Sequence, residues 1–375
     1  MIETRRSQAG RSGRVRSARL TDLAALGELS RLTHSDEGSD HRVRTLGLPV
    51  GGGHISVFSL FRLPLGAFRP SDLLYVYEDH GHIGGLARVE REGVRDEWTI
   101  VELDAIDNGE AGDIRFRLVQ HLLRDAGKRG ALRFHVACAD AGGNIELFMQ
   151  AGFARYGEEV VLYRSPEQPH TPPMTTAQAS ATGIRPAAPL DANELDKLYR
   201  SATPAPVARL EDYRLHDWER QGAHWRVPRS SLTPILRFAD VEGFVQEGTP
   251  GSRGSPGAAR GNGTQQLLGF CQIGVAKEEQ PHYIRVIARP EHDPSDLIAY
   301  GLGVIGDRRR LGWTDRAVRS QPTERGIVSV VRTYESPHER RFEEHGFATL
   351  SSVSLLMKET AVRVFEPALV PAATL

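Results

Sequence analysis

The sequence predicts an α+β fold built from two similar units, each a mixed, mostly antiparallel sheet flanked by helices. The chain has 375 residues, which exceeds one ordinary core and suggests two domains. Residues 15–29 (VRSARLTDLAALGEL) resemble residues 184–198 (IRPAAPLDANELDKL), and residues 148–164 (FMQAGFARYGEEVVLYR) resemble residues 342–358 (FEEHGFATLSSVSLLMK). Solenoid repeats are much shorter than this, so the pattern indicates duplication of a whole domain.

The paired segments set the predicted boundaries. We expect a first domain at 13–164, a Pro/Ser/Thr-rich linker at 165–183 and a second domain at 184–363. The first matched pair is separated by 169 positions (185 − 16) and the last by 194 (346 − 152), so the second copy is about 25 residues longer. Part of this excess is a Gly/Pro/Ser-rich stretch at 248–264, which we expect to be a flexible insertion in a hairpin.

The order of elements is the same in both copies. Each begins with a short strand, an Asp near a helix start and an amphipathic helix. In the first copy, residues 73–79 and 82–91 predict a hairpin and residues 97–106 the next strand. Residues 112–130 carry apolar side chains at helical spacing, and a strand at 131–139 follows. Each copy then ends with a helix, a Gly-Phe corner at Gly152 or Gly346, and a strand, because glycine adopts the left-handed conformation that ends helices.

Composition excludes several classes of protein. A net charge of −1 provides no field that attracts nucleic acid or a membrane surface. No apolar stretch approaches the ~20 residues that span a bilayer. The two cysteines, Cys138 and Cys271, lie in apolar strand-like runs, which argues against a disulfide framework and favours a cytoplasmic location. His80 and His82 have metal-like spacing without a further ligand cluster, so no metal is expected. Monomer and homodimer both stay open.

Together these motifs resemble the GNAT superfamily of N-acyltransferases, as a tandem protein with two such units over nearly the whole chain. The resemblance rests on the N-terminal strand with its Arg, the hairpin with GGLARV, the strand-loop-helix and the final helix-Gly-Phe-strand. In this family the pyrophosphate of acyl-CoA lies on the loop before the long helix, where glycines and a helix N-terminus favour phosphate.

Neither copy keeps the usual loop pattern, Gln/Arg-x-x-Gly-x-Gly/Ala. The matching residues are EAGDIR at 110–115 and DPSDLI at 293–298, so Asp113 and Asp296 replace the first glycine. A carboxylate beside a diphosphate is repulsive, and binding of acetyl-CoA is expected to be weak. The first copy is favoured, because Arg115 and Arg117 provide cations. The resemblance places the cofactor against Leu103, Ala105, Gly112, Asp113, Ile114 and Arg115.

The catalytic groups of the family are only partly present. Many members have a Tyr one turn before the Gly-Phe corner as general acid, and here both positions are Phe, Phe148 and Phe342. Tyr156 and Tyr334 are weak substitutes, with structural roles as the simpler interpretation. Glu102 is the candidate general base, and a solvated strand face is the alternative.

Two functions remain at this stage. The first is acyl-CoA-dependent N-acyl transfer, with acetyl-CoA as co-substrate and an unidentified small-molecule or peptide amine as acceptor. The second is a catalytically inactive GNAT-like protein retained for ligand or protein binding.

Overall fold

The computed structural model describes residues 13–29 and 72–360, apart from 23, 27, 93–95, 107–109, 141–142, 220–227, 237, 249–265, 277–279 and 308–324. The predicted insertion at 248–264 therefore lies outside the described residues except for Gly248. Among the described helices, none is both long and apolar enough to cross a membrane.

The described part of the first half contains six strands and two helices, with further helical residues between 24 and 29. A 3-10 turn at Leu20–Asp22 follows the first strand. The elements are β1 (Arg14–Ser17), β2 (Asp72–Asp79), β3 (His82–Glu92), β4 (Glu97–Ala105), α1 (Ala111–Lys128), β5 (Arg133–Cys138), α2 (Asn144–Gln150) and β6 (Ala154–Arg164).

The second half repeats this order after a linker that itself forms helix α3 (Thr176–Ala181), begun by a capping box between Thr175 and Gln178. Its elements are β7 (Ile184–Pro186), α4 (Ala192–Ala202), α5 (Ala205–Glu211), α6 (Leu215–Glu219), β8 (Phe238–Glu247), β9 (Leu267–Ala276), β10 (His282–Ala288), α7 (Ser295–Gly306), β11 (Ile327–Arg332), α8 (Ser336–Glu344) and β12 (Ala348–Glu359).

All the strands form one 12-stranded sheet, and the two halves exchange their last strands. The order is β1-β2-β3-β4-β5-β12-β6-β11-β10-β9-β8-β7. Thus β12 of the second half pairs with β5 of the first, and β6 of the first half pairs with β11 of the second. Only β4–β5 and β10–β11 are parallel pairs in the described sheet. The domain boundaries 13–164 and 184–363 stay a prediction. Each half of the sheet is completed by the last strand of the other half.

A pseudo-twofold axis relates the halves. Ala154 pairs with Met357, and Ala348 pairs with Tyr163. These two pairs are equivalent under the offset of 194 residues predicted from the Gly-Phe corners. Glu159 is paired with Val353, its own equivalent (353 − 159), so the axis passes through this pair. Glu159 is fully buried there.

The duplication also repeats one ion cluster. Arg16 donates to Asp22 and Glu78, and Arg185 donates to Asp191 and Glu247 at the same positions 169 residues later. The cluster ties the first strand of each half to the start of its first helix and to the outer hairpin. The predicted match between residues 15–29 and 184–198 therefore reflects a shared set of contacts.

Helix α1 covers one face of the first-half sheet and positions the site. Its apolar stripe, which includes Ile114, Leu118 and Leu122, is buried against β3, β4 and β5. Gly85 permits this close approach, because an added Cβ would lie 2.6 Å from a methyl carbon of Ile114. The opposite face, at the centre of the sheet, is covered by residues 228–236, which pack on strands of both halves.

Candidate functional site

Each half has a slot where its parallel strand pair diverges. In the first half, β4 and β5 pair only from Glu97↔Arg133 to Ile100↔Val136. In the second, β10 and β11 pair only from His282↔Ile327 to Ile284↔Ser329. Beyond these points the edges of β4 and β10 face a gap within the sheet, which is where the site begins.

Backbone groups of β4 line the first slot. The backbone N–H of Ile106 donates to the carbonyl oxygen of Gly84 on β3. In an antiparallel pair, the backbone N–H and C=O groups of successive residues point alternately toward and away from the partner strand. The backbone groups of Leu103 and Ala105 therefore point away from β3, toward the slot. Among the described residues, no strand pairs with this edge beyond Ile100. The side chains of Leu103 and Ala105 are buried beneath α1. Their contribution to a ligand is therefore the N–H and C=O groups of the main chain.

The N-terminus of α1 lies at the end of this slot. Glu110 is the N-cap residue and makes no side-chain capping bond. An added Cβ at Gly112 would meet nothing within 4 Å, so the approach to the first turn is open. Asp113 is exposed and forms an ion pair with Arg117 at 2.7 Å. Ile114 belongs to the core, and its backbone N–H donates to the carbonyl oxygen of Glu110 at 3.0 Å, so the N–H groups left for an anion are those of the residues before it.

Arg115 does not lie on the solvent face of α1, in contrast to the expected position of a phosphate-binding cation. It is 4% exposed, and its Nη1 donates to Asn144 Oδ1 at 2.8 Å. Asn144 is the first residue of α2 and is buried. The guanidinium therefore connects the first turns of the two helices beside the slot.

Glu102 lies on β4 and points to the face opposite α1. It is buried, and its Oε2 accepts a hydrogen bond from Arg88 Nε of β3 at 3.1 Å. Asp104 follows on the same face, also buried. The predicted base is thus an oriented carboxylate at the slot rather than part of a solvated strand face.

A small cavity lies where the first slot begins. It has a volume of about 20 Å³, room for about one water. Its walls come from both halves: β4 and β5, Tyr156 of β6, Leu355 of β12, the segment 228–236 and Arg332. Burial raises the pKa of the Tyr156 phenol, so it is a poorer acid than a solvated tyrosine. The structure does bring Tyr156 to this cavity, close to the diverging strands.

Buried ion pairs surround the cavity. Arg332 contacts Glu159 at 2.6 Å and Glu211 at 2.9 Å, and its Nη2 also donates to the carbonyl oxygen of Arg229. The Arg229 guanidinium in turn pairs with Glu97 of β4. Ion pairs with this much burial require partners on every side, so the network fixes the segment 228–236 against both halves.

His135 of β5 also lines the cavity. Its Nε2 lies 3.3 Å from a carboxylate oxygen of Glu97. Burial, assisted by the charge of Arg229, lowers the pKa of His135 to about 4, so the ring is neutral near pH 7.

The second slot is filled by a side chain. Arg285 of β10 is 2% exposed, and its Nη1 donates to the carbonyl oxygens of Val286 at 2.8 Å and Val330 at 3.2 Å. Its Nη2 donates to Glu335 at 2.7 Å. The guanidinium therefore bridges β10 and β11 and takes up acceptors that face the gap. By the offset between the cofactor loops (293 − 110), Arg285 occupies the position of Glu102.

The N-terminus of α7 in the second half also differs from that of α1. It borders an open cleft of about 690 Å³ next to the start of α8. Asp293 accepts from both the N–H and the hydroxyl of Ser295 and pairs with Arg341 at 3.1 Å. A carboxylate of the chain thus already lies where a phosphate would bind.

Both Gly-Phe corners are packed as structural elements. Phe148 and Phe342 are fully buried, with ring centroids 5.2 Å from Phe153 and 5.0 Å from Phe347. Tyr334 lies in the second half, in a 3-10 turn, and burial raises the pKa of its phenol.

Sequence reasoning missed Arg285, Arg229 and His135. An arginine within the apolar run of β10, at the position of the candidate base, was a visible signal for Arg285. No local pattern marks Arg229 or His135, because their partners lie far away in the sequence.

No protein-family model and no curated protein sequence matches this chain. Its structure is similar to several solved structures. A tandem GNAT protein from the clavulanic acid biosynthesis pathway has a TM-score of 0.48 and 11% identity, covering 93% of this chain and 99% of its own. A GCN5-related N-acetyltransferase from Sphaerobacter thermophilus has a TM-score of 0.49 and 14% identity, with 92% and 95% covered. A putative acetyltransferase from Pyrococcus horikoshii has a TM-score of 0.45 and 11% identity, with 96% and 94% covered.

The strand order itself confirms the predicted fold class. Each half has an antiparallel outer sheet, a parallel step through a helix, and a final helix-Gly-Phe-strand, with the last strand exchanged. The fold class is therefore α+β, with two similar units in one sheet.

Proposed function

We propose that the chain is an acyl-CoA-dependent N-acyltransferase, using acetyl-CoA, whose first half holds the cofactor. The observation that carries this proposal is the difference between the slots. Leu103 and Ala105 present main-chain donors and acceptors to the first slot, whereas Arg285 and Glu335 bridge the second. An extended ligand with amide groups can pair with such a strand edge.

The residues at the first slot fit a ligand with a diphosphate. The first turn of α1 supplies N–H groups and the positive end of the helix dipole, and Gly112 leaves the approach open. The charge of Asp113 is offset by Arg117. Arg115 adds a cation one turn further in, although Asn144 holds it between the helices. Acetyl-CoA supplies the activated thioester when bound.

Glu102 is the general base of this proposal. Transfer forms a bond between the amine nitrogen and the acyl carbon and breaks the carbon–sulfur bond. The amine proton goes to Glu102, and the thiolate takes a proton from solvent, because Phe148 cannot donate one. Arg88 orients the carboxylate at 3.1 Å. A small-molecule or peptide amine is the acceptor, and the cytoplasm is the proposed location.

One observation favours the second candidate, a non-catalytic binding protein. The bridged second slot and the carboxylate of Asp293 at the N-terminus of α7 show that one half has side chains where a cofactor would lie. If side chains also occupy the first slot, neither half binds acetyl-CoA.

A calorimetric titration with acetyl-CoA separates the two candidates. The decisive variant is Gly112→Glu, with Gly127→Glu as matched control at the other end of α1. An added Cβ meets nothing within 4 Å at either glycine. A carboxylate at the N-terminus repels phosphate by about 1–4 kcal/mol at about 4 Å, so affinity should fall at least about fivefold for Gly112→Glu alone.

Absence of binding by the wild type, or equal binding by both variants, contradicts the proposal. Where binding is seen, Glu102→Gln tests the base in an assay of acetyl transfer to a panel of amines. We expect turnover to fall about 10²–10⁴-fold with unchanged affinity for acetyl-CoA.

A further inference from the structure

A second cavity lies away from both slots, beneath the linker between the halves. It has a volume of about 60 Å³, several times the 10–15 Å³ that one water requires. Its floor is the paired end of β6 and β11, and its wall is the last turn of α7. Residues of the linker form its roof. The lining residues are Arg164, Pro166, Gln168, His170, Thr171, Leu302, Ile305, Gly306, Arg325 and Ile327.

The charged side chains among the described lining residues of this cavity are Arg164 and Arg325, with His170, Gln168 and Thr171 as further polar groups. Arg325 also donates from Nη1 to the carbonyl oxygen of Ala276 at 3.3 Å. Elsewhere in the described chain, buried arginines such as Arg285 and Arg332 are paired with Glu. The cavity beneath the linker is therefore built differently from the ionic core.

Arg164 is the buried cation of the site. It is 8% exposed, and within the described part of the chain no carboxylate forms an ion pair with it. Its Nε and Nη2 donate to the carbonyl oxygens of His345 and Pro169, at 2.9 and 2.5 Å. These two bonds fix the plane of the guanidinium at the cavity wall. Burial lowers the pKa of Arg164.

His170 of the linker lies close to α7 because residue 306 is a glycine. An added Cβ at Gly306 would lie 2.2 Å from Cε1 of His170, so the imidazole rests directly on the backbone of α7. Any side chain at this position would displace His170 and open the roof. The linker thus contacts α7 beside the cavity, while Gln168 and His170 themselves stay exposed to solvent.

We propose that this cavity binds a single phosphate-type oxyanion, held by Arg164, Arg325 and His170. A tetrahedral anion has four acceptor oxygens, which match donors from two guanidinium groups, an imidazole, Gln168 and Thr171. The anion would neutralise the buried Arg164 and fasten the linker to the second half. The site is independent of the proposed acetyl transfer.

The test is binding of inorganic phosphate to the full chain, by calorimetry and by thermal melting against chloride at equal ionic strength. We expect saturable binding and a melting temperature that rises by a few degrees with phosphate, because the anion binds the folded state. Arg164→Gln keeps a donor for one carbonyl but loses the charge. It should weaken phosphate binding at least about tenfold, as expected for loss of a hydrogen bond to a charged group.

Two comparisons make the test decisive. Arg155→Gln changes an exposed arginine on the same strand, paired with Glu158, and should bind like the wild type. If Arg164→Gln does not fold, His170→Gln takes its place and should weaken binding. Three results would overturn the proposal: no binding of phosphate, equal phosphate binding by the site variant and the wild type, or tighter binding of AMP than of phosphate. Tighter binding of AMP would show an open site for phosphate esters.

Discussion

Removing the carboxylate of Glu335 should destabilise the chain more than almost any other single change. Glu335 is 4% exposed and Arg285 is 2% exposed. Their atoms lie 2.7 Å apart, and Glu335 also accepts from the backbone N–H of Arg332 at 3.0 Å. Glu335→Ala leaves the guanidinium buried between β10 and β11 without its counter-charge. Loss of one partner of a buried pair costs about 3–5 kcal/mol.

The double variant Arg285→Met with Glu335→Leu gives the contrasting result. It removes both charges, so the large penalty disappears, although the carbonyl oxygens of Val286 and Val330 lose a donor at about 1–3 kcal/mol each. We expect the double variant to lose less stability than the sum of its single variants, Arg285→Met and Glu335→Leu, which is a strongly non-additive cycle. Urea unfolding at constant m-value measures this.

The control is Glu344→Gln, which weakens surface pairs with Arg340 and Arg341 and should leave the midpoint nearly unchanged. The pH dependence gives a second check. Burial alone would raise the pKa of Glu335, but Arg285 lowers it overall. The stabilisation is therefore complete above the unfolded pKa and is lost as pH falls through the folded value. A loss for Glu335→Ala no larger than for the control would refute the argument that the second slot is closed by an ion pair.

Three further predictions follow from burial and charge. Phe148→Tyr places a hydroxyl in a fully buried apolar position and should cost about 1–3 kcal/mol, seen as a lower melting temperature, whereas higher acetyl-transfer turnover would show that a thiolate forms beside it. Asp191→Asn should lower the melting temperature near neutral pH. Burial alone would raise the pKa of Asp191, but Arg185 lowers it overall, so the difference in melting temperature from the wild type should shrink as pH falls through the folded-state pKa. A difference that stays constant with pH would contradict this. Burial raises the pKa of Cys138 to about 12 and also raises that of Cys271, so a thiol reagent at pH 8 should label neither before urea is added and both afterwards.

The sequence predicted what depends on local pattern. The paired motifs located both copies, because the contacts of Arg16 and Arg185 lie within one strand-helix unit and recur at the same spacing. Phe148 packs against Phe153 for the same local reason, because the helix end, Gly152 and the next strand are contiguous.

The exchange of last strands was beyond such reasoning. β6 and β12 carry similar apolar patterns, and each presents the same edge whether it pairs within its own half or across. The choice is made by contacts of residues more than a hundred positions apart. The same holds for Arg115, whose position on α1 suggested a phosphate ligand until its contact with Asn144 was seen.

This exchange explains why a second half with a closed slot remains useful to the first. Leu355 of β12 stands beside β5 and forms part of the wall of the cavity where the first slot begins. Arg229 of the second half pairs with Glu97 of β4, and Glu159 on the pseudo-twofold axis accepts from the backbone N–H of Ser231. The first slot is therefore closed on one side by second-half residues. Loss of ligand space in the second slot leaves these contacts intact, whereas loss of the second half would remove a wall of the first. The second half can therefore stabilise the first half through these contacts even though its own slot is filled by Arg285.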